Sequence, residues 1–318
     1  MKFIAEHADR TDGGLRWGVE PICTVLSEHG CPIAPSTYYD ARTSGDRPSA
    51  RQLRDEELKV EIARVHAENY GVYGARKVWL ALNREGIPVA RCTVERLMRQ
   101  LGLAGARRGR RHRTTIADAA AARPADLVQR QFNPPAPNRT WVADFTYVPT
   151  WSGMVYVAFV IEAYSRRILG WRAVTSMRTA LVLDALEQAV WTRTHDGVGD
   201  LSGLICHHDA GSQYTSIAYT ERLAEAGIDA SVGTVGDAYD NALAETTIGL
   251  YKTECTRAGS PFRTGPFARL TDIEDATSAW VRWYNQDRLM HRLGRRPPVE
   301  HEADYYAQIS EGRPVAYS

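Results

Sequence analysis

Trp141-Val142-Ala143-Asp144-Phe145-Thr146-Tyr147-Val148 is an apolar, β-branched and aromatic run with one carboxylate in its middle. Such a composition predicts a strand over 140–148. The aspartate inside it is costly, because an ionised group taken out of water needs hydrogen bonds or a counter-charge. A second apolar run, Leu204-Ile205-Cys206-His207-His208-Asp209, ends on another aspartate just before Ala210-Gly211-Ser212. A third carboxylate, Glu245, follows Asp209 after 35 intervening residues, in a helical stretch that opens at Asp240-Asn241. Seven positions beyond it, on the same helical face, comes Lys252. Two strand-borne aspartates and one helix-borne glutamate make a hard-oxygen set suited to Mg²⁺, with Mn²⁺ as a substitute.

The flanking pattern supplies a sheet to hold them. Strands are predicted over 140–148, 154–162 and 167–174, with a hairpin turn at Trp151-Ser152-Gly153. Leu183, Leu186 and Val190 then stripe a helix over 180–194. Strand 204–208, helix 216–226, strand 228–232 and helix 240–254 follow. Three strands in sequence, then alternating helix and strand, describe an α+β sheet of the ribonuclease-H type. On such a sheet the first and fourth strands lie side by side. Asp144 and Asp209 then face one crevice, and the helix of Glu245 crosses it. Like charges so placed repel unless a cation neutralises them. Two divalent ions there would serve phosphodiester chemistry, and no covalent intermediate is required.

Charge divides along the chain. The whole carries a net of only +1, but residues 51–113 hold 15 Lys or Arg against 7 Asp or Glu, and residues 114–255 hold 10 against 16. A basic block of net +8 joined to an acidic block of net −6 fits a polyanion grip beside a metal centre. The sharpest segment is Arg107-Arg108-Gly109-Arg110-Arg111-His112-Arg113, five arginines in seven residues. These are either a solvated face or a set of phosphate ligands for DNA.

Five regions result: a short helix–turn–helix-like segment over 1–50, a helical DNA-binding domain over 51–104, a basic, Pro-containing linker over 105–135, the catalytic core over 136–256 and a C-terminal helical extension over 257–318. In the second, Leu58, Ile62 and Val65 repeat at helical spacing, as do Val94, Leu97, Met98 and Leu101, with a break at Gly86-Ile87-Pro88. At 318 residues and 44% hydrophobic, the chain is long enough to bury a full core. No apolar run reaches the ~18 residues of a membrane span, and the start lacks a signal-peptide core. The five cysteines are scattered and never spaced as C-x-x-C, which argues against a disulfide frame or zinc site and for a cytoplasmic setting.

Several residues keep two readings. Gln213 and Tyr214 contact DNA or fix the turn after Asp209. Trp280 and Trp283 are core or nucleic-acid stacking platforms. Of His207 and His208, adjacent in a strand, at most one faces the crevice, where it would orient a water or a phosphate.

Trp141-x-x-Asp144-x-Thr146-Tyr147, His207-x-Asp209-x-Gly211-Ser212-Gln213-Tyr214, Asp240-Asn241-Ala242-x-x-Glu245 and Lys252 together resemble the catalytic core of DDE transposases and retroviral integrases. More narrowly, the chain resembles the second-reading-frame transposase of bacterial copy-out, paste-in insertion sequences. Tyr70-Gly71-Val72-Tyr73-Gly74-Ala75-Arg76-Lys77 is similar to that family's segment ahead of the core, and Tyr284-Asn285-x-x-Arg288 to its C-terminal signature. The likeness spans roughly residues 15–308. It departs where family members read His-Ser-Asp-Arg-Gly, here with Ala210, and Arg-Pro-His, here Arg288-Leu289-Met290. Neither departure touches the carboxylates.

The resemblance implies Asp144, Asp209 and Glu245 as metal-holding catalytic residues, with Trp141 and His207 supporting. It implies DNA contacts at Lys252, Gln213, Tyr214, Asn241, Arg107, Arg108, Arg110, Arg111, Arg113 and Arg288. It further implies cleavage at terminal inverted repeats, attack on target DNA, a homo-oligomer, and an upstream-frame helix–turn–helix and leucine-zipper segment as fusion or partner. The setting implied is the bacterial cytoplasm, at the nucleoid. Two other functions use the same features: a ribonuclease-H-type nuclease that never joins, and a non-catalytic DNA-binding regulator.

Overall fold

The computed structural model describes residues 1–44, 48–107, 128, 133–209, 213–214, 216–232, 242–263 and 265–311. They form two compact units, Met1–Leu58 and Lys59–Ser318. In the first, α1 (Lys2–His7), a minimal hairpin of β1 (Thr11–Asp12) and β2 (Leu15–Arg16), α2 (Val19–Glu28) and α3 (Pro35–Ser44) surround a small core of Ile4, Ala8, Val19, Ile22, Cys23 and Tyr38. The turn expected at His29-Gly30 does end α2, with Gly30 at φ 82°. The hairpin has no signal in the sequence, being two residues on each side.

Helix α4 (Ala50–Glu68) buries the predicted stripe of Leu58, Ile62 and Val65. In the second unit α5 (Ala75–Arg84) packs on α6 (Arg91–Gln100). Val78 and Leu82 are buried on one, and Val94, Leu97 and Met98 on the other. The Gly86-Ile87-Pro88 break lies between them, because proline cannot supply the next helical amide.

The main sheet contains β3 (Thr140–Thr150), β4 (Gly153–Glu162), β5 (Ile168–Val174), β6 (Ile205–His208) and β7 (Asp229–Val232), in the order β5-β4-β3-β6-β7. Strand β3 is central, antiparallel to β4 and parallel to β6. Strand β4, also flanked on both sides, is the most apolar of the sheet, while β3 carries one carboxylate, Asp144, in its middle. Helices α7 (Thr179–His195) and α8 (Ile217–Glu225) cover one face, where Trp141, Ala143, Ala158 and Val160 meet Leu181, Ala185 and Leu186. Gly170 permits this contact: a Cβ there would lie 2.8 Å from the Ala189 amide nitrogen and inside the Ala185 carbonyl oxygen.

Helices α9 (Ala242–Tyr251) and α10 (Leu270–Gln286) cover the other face, packing on β3 and β5 respectively. Phe159 meets Tyr251 and Trp280 edge-on at ring distances of 5.1 and 6.2 Å. Trp280 and Trp283 are both fully enclosed, so of their two readings the core one holds. A final helix, α11 (Pro298–Ser310), packs against α10.

The C-terminal segment is tied to the sheet by polar groups too. The Asn285 amide accepts from the Ile168 N–H and donates to the Ile168 carbonyl, both at 2.9 Å, as a neighbouring strand would. Buried Arg193 pairs with buried Glu302 of α11.

Candidate active site

Strand alternation decides which face Asp144 occupies. Trp141 and Ala143 point into the α7 side, so Val142 and Asp144 point toward α9 and α10. The register pairs Val142 with His207 and Ala143 with His208, which puts Asp209 one step beyond the last pair, level with Asp144 and of the same parity as His207. Asp144, in the middle of β3, and Asp209, just past the end of β6, therefore stand side by side on one face. Helix α9 packs on β3 and carries Glu245 in its first turn. All three carboxylates are half-buried.

Their charges act on one another. Burial pushes the Asp144 carboxyl well above its ordinary range, and Asp209 and then Glu245 push it further. The Phe145 N–H, donated to Asp144 Oδ1 at 2.8 Å, and the Lys252 ammonium work in the opposite direction without offsetting the rise. Among the described residues no three His, Cys, Asp or Glu side chains stand close enough to hold one ion. The donors are hard carboxylate oxygens whose charges act on one another, and this set fits Mg²⁺ or Mn²⁺.

Lys252 is exposed, its ammonium 5.2 Å from the centre of the Tyr147 ring. The predicted α-helix over 240–254 differs here: α9 ends at Tyr251, and Lys252–Thr256 form a π-helical turn. Such turns re-aim the side chains that follow and are frequent at functional positions.

The remaining candidates divide. Trp141 is fully buried under β3 and supports it by packing. His207 is also fully buried, its Nδ1 2.9 Å from the Ser231 hydroxyl of β7, so it braces the sheet and is not available to a water or phosphate in the crevice. Gln213 is 9% exposed and Tyr214 1%, the latter stacked on His208 and edge-on to Tyr219, packing that suits the turn-fixing reading of the two. Arg288 is 7% exposed and gives Nη2 to Glu254 Oε1 at 2.6 Å and Nε to Oε2 at 3.0 Å. Arg107 is exposed. Arg108, Arg110, Arg111, Arg113 and Asn241 lie outside the described residues, as does Ala210.

Of the histidine pair, His208 takes a backbone role, and Glu254 had no part in the sequence reading. His208 Nδ1 lies 2.9 Å from the Asp209 carbonyl oxygen. Burial holds its ring down to about 4, so at neutral pH the uncharged imidazole donates that bond and fixes the backbone that carries Asp209. Glu254 anchors Arg288 and also accepts from Trp280 Nε1 at 3.3 Å. Its only signal in the sequence was an acid in an otherwise apolar helical stretch.

A five-stranded mixed sheet with one acid within its central strand and another just past the neighbouring strand defines a class, and family models agree with it. Integrase core domain models match residues 134–238 and 226–298, and an HTH-like domain model matches residues 52–111. The protein thus has an α+β, ribonuclease-H-like integrase core preceded by an HTH-like helical region. The transposase ascribed to insertion sequence element IS986/IS6110 of Mycobacterium tuberculosis (strain ATCC 25177 / H37Ra) is 65% identical over 285 residues, 90% of this chain and 99% of its own. The transposase for insertion sequence element IS629 of Shigella sonnei is 52% identical over 297 residues, 92% of this chain and 94% of its own. The chain belongs to the insertion-sequence transposases. A solved HTLV-2 integrase catalytic core domain in complex with magnesium aligns over 52% of this chain and 97% of that one, at 16% identity and a TM-score of 0.40, too low to bear on function.

Proposed function

We propose that this transposase is a DDE-type enzyme in which Asp144, Asp209 and Glu245 hold divalent metal, Mg²⁺ by preference, for cleavage and strand transfer at insertion-sequence ends. The observation that carries the reading is the electrostatic coupling of the three carboxylates across β3, β6 and α9, with Asp144 pushed up by burial and by both neighbours. When bound, the metal supplies charge neutralisation at the phosphate and polarises the attacking and leaving oxygens. The chain's own groups do the rest. His208 fixes the Asp209 backbone, the Phe145 N–H orients the Asp144 carboxylate, and the exposed Lys252 meets a DNA phosphate beside them. First the element end is opened to free a 3′-hydroxyl; that hydroxyl then attacks a second phosphodiester, one P–O bond forming as another breaks.

In this reading residues 51–104 grip DNA, 105–135 link, 136–256 carry the chemistry, and 257–318 brace the core. Arg107, Arg108, Arg110, Arg111, Arg113 and Asn241 belong to the DNA path. The active form is a homo-oligomer on paired ends in the bacterial cytoplasm, at the nucleoid, with the upstream-frame helix–turn–helix and zipper segment as its partner. No helix among the described residues is long and apolar enough to cross a membrane.

The test uses labelled terminal-repeat DNA with Mg²⁺. Asp144→Ala, Asp209→Ala and Glu245→Ala should each abolish joined products while the circular dichroism spectrum stays unchanged. Strand transfer retained by any of the three sinks the assignment. Cleaved but never joined ends from the wild type would favour the nuclease reading.

A further inference from the structure

Two motifs singled out in the sequence have no part in the carboxylate centre: the Tyr70–Lys77 segment and Tyr284-Asn285-x-x-Arg288. In the fold they meet. The Tyr73 hydroxyl donates to the Asp287 carbonyl at 2.9 Å and accepts from the Leu289 N–H at 2.8 Å. Between the first turn of α5 and the end of α9 this leaves a cleft of about 460 Å³, with Arg76, Lys77, Thr253, Glu254, Arg288 and Ala106 among its walls.

The charges in that cleft do not balance. Among the described residues Glu254 is its sole acidic wall residue, and Arg288 holds it through Nε and Nη2 while Trp280 takes a further share. Lys77 is half-buried and forms no ion pair among the described residues; its ammonium sits 4.9 Å from the Tyr73 ring centre. Arg76 stands exposed at the rim. A ring face is a weaker partner for a half-buried ammonium than an anion would be. Burial first, and Arg288 next, push the Lys77 ammonium down to about 7, with Glu254, already held by Arg288, opposing them only in part.

The rim points to the occupant. Gly105 lies directly on the backbone of Gly74, where an added Cβ would be 2.7 Å from the Gly74 Cα. The Ala106 N–H donates to the Val72 carbonyl at 3.0 Å. The arginine run of 107–113 therefore begins at the edge of the cleft. On the opposite wall, Leu250, Thr253 and Glu254 continue the helix that carries Glu245. The α-helical rises from Glu245 to Tyr251 and the π turn beyond put the cleft on the order of 10–15 Å along the helix from that residue, about three to four base steps of duplex.

We propose that this cleft is an anion site that seats one DNA backbone phosphate, with Lys77 as its ligand, Arg76 at its rim, and the buried Arg288–Glu254 pair as its floor. The site anchors the duplex a few base pairs from the scissile bond. It rests on the reading that this chain grips DNA.

The test is fluorescence anisotropy of the full chain with a labelled 30-base-pair duplex between 50 and 300 mM salt, for wild type, Lys77→Met and Lys77→Arg. Loss of one phosphate contact lowers the slope of log K against log salt by about 0.9, which is about fivefold in affinity at 0.15 M. Lys77→Met should show that loss and Lys77→Arg should restore most of it. A Lys77→Met slope equal to wild type overturns the cleft site, even if the variant melts earlier, and leaves DNA binding intact. No binding by the wild type overturns the DNA reading and the cleft together. If Lys77→Met does not fold, wild-type protein is treated with trace acetic anhydride at pH 8, with and without the duplex, and digested for mass spectrometry. Lys77 should be protected by DNA more than exposed Lys2; equal protection refutes the site.

Discussion

Replacing Arg288 by methionine strands the Glu254 carboxylate. The pair is 7% and 4% exposed, and the substitution removes the bonds from Nη2 at 2.6 Å and from Nε at 3.0 Å. What remains to Glu254 is the Trp280 indole N–H at 3.3 Å. Removing one partner of an enclosed ion pair costs about 3–5 kcal/mol, because the other charge stays out of water. At about 2–4 °C per kcal/mol, the melting temperature of the second unit should fall by roughly 6–20 °C. Removing both charges, as in Glu254→Leu with Arg288→Met, should recover most of that loss, since well-packed apolar replacements of buried pairs are often neutral or better. Urea titration followed by tryptophan fluorescence reads the change where it occurs, because Trp280 and Trp283 lie in this core. A loss below about 1 kcal/mol in the single variant, or a double variant no better than the single, would refute the structural role given to Arg288.

Other outcomes follow from the same contacts. Gly170→Ala should cost more than about 2 kcal/mol, because the new methyl meets backbone of α7 at Ala185 and Ala189 and no flexible side chain can yield; equilibrium denaturation measures it. Millimolar Mg²⁺ should raise the melting temperature of the wild type, by mass action on the folded state, and leave Asp144→Asn unchanged; an equal rise in both would remove Asp144 from the metal site. Duplex affinity should fall as pH rises from about 7, where free Lys77 gives up its proton, toward the ordinary lysine range, by at most about tenfold per pH unit. The groups facing Lys77 are Arg76, Thr253, Glu254, Arg288 and Tyr73, the last pushed up to about 12 by burial and so uncharged in this window. Stability moves the other way. The unfolded chain keeps the Lys77 proton up to about 10.5 and the folded chain only to about 7, so this lysine's penalty is relieved as pH rises between the two. Lys77→Met should flatten both profiles, and two unaltered profiles would contradict the assignment.

The carboxylates were readable because their contexts are local. An apolar run of period 2 locates β3, and its alternation already puts Asp144 opposite to Trp141 and Ala143. A short β-rich run before Ala210-Gly211-Ser212 locates β6, and a helical pattern locates Glu245. The family motifs reinforced the same three positions. Where α9 gives way to a π turn at Lys252 was not readable, since an extra residue per turn leaves no mark on an otherwise helical pattern.

Residue chemistry alone put Arg288, Gln213, Tyr214 and His207 with DNA or phosphate, because polar and aromatic groups beside a catalytic motif suit that task. The fold encloses all four. Arg288 finds Glu254, 34 positions earlier, and His207 finds Ser231, 24 positions later, once α10 and β7 have packed. Lys77 went the opposite way: an ordinary helical lysine in sequence, it is enclosed because Tyr73 is bound to Asp287, 214 positions away. By itself the sequence determined the strands, the helices and the acids they carry, since propensity and period act over a few residues. The tertiary structure alone decided which charges are paired, which are enclosed and which remain for DNA, because burial and long-range pairing exist only after distant segments have come together.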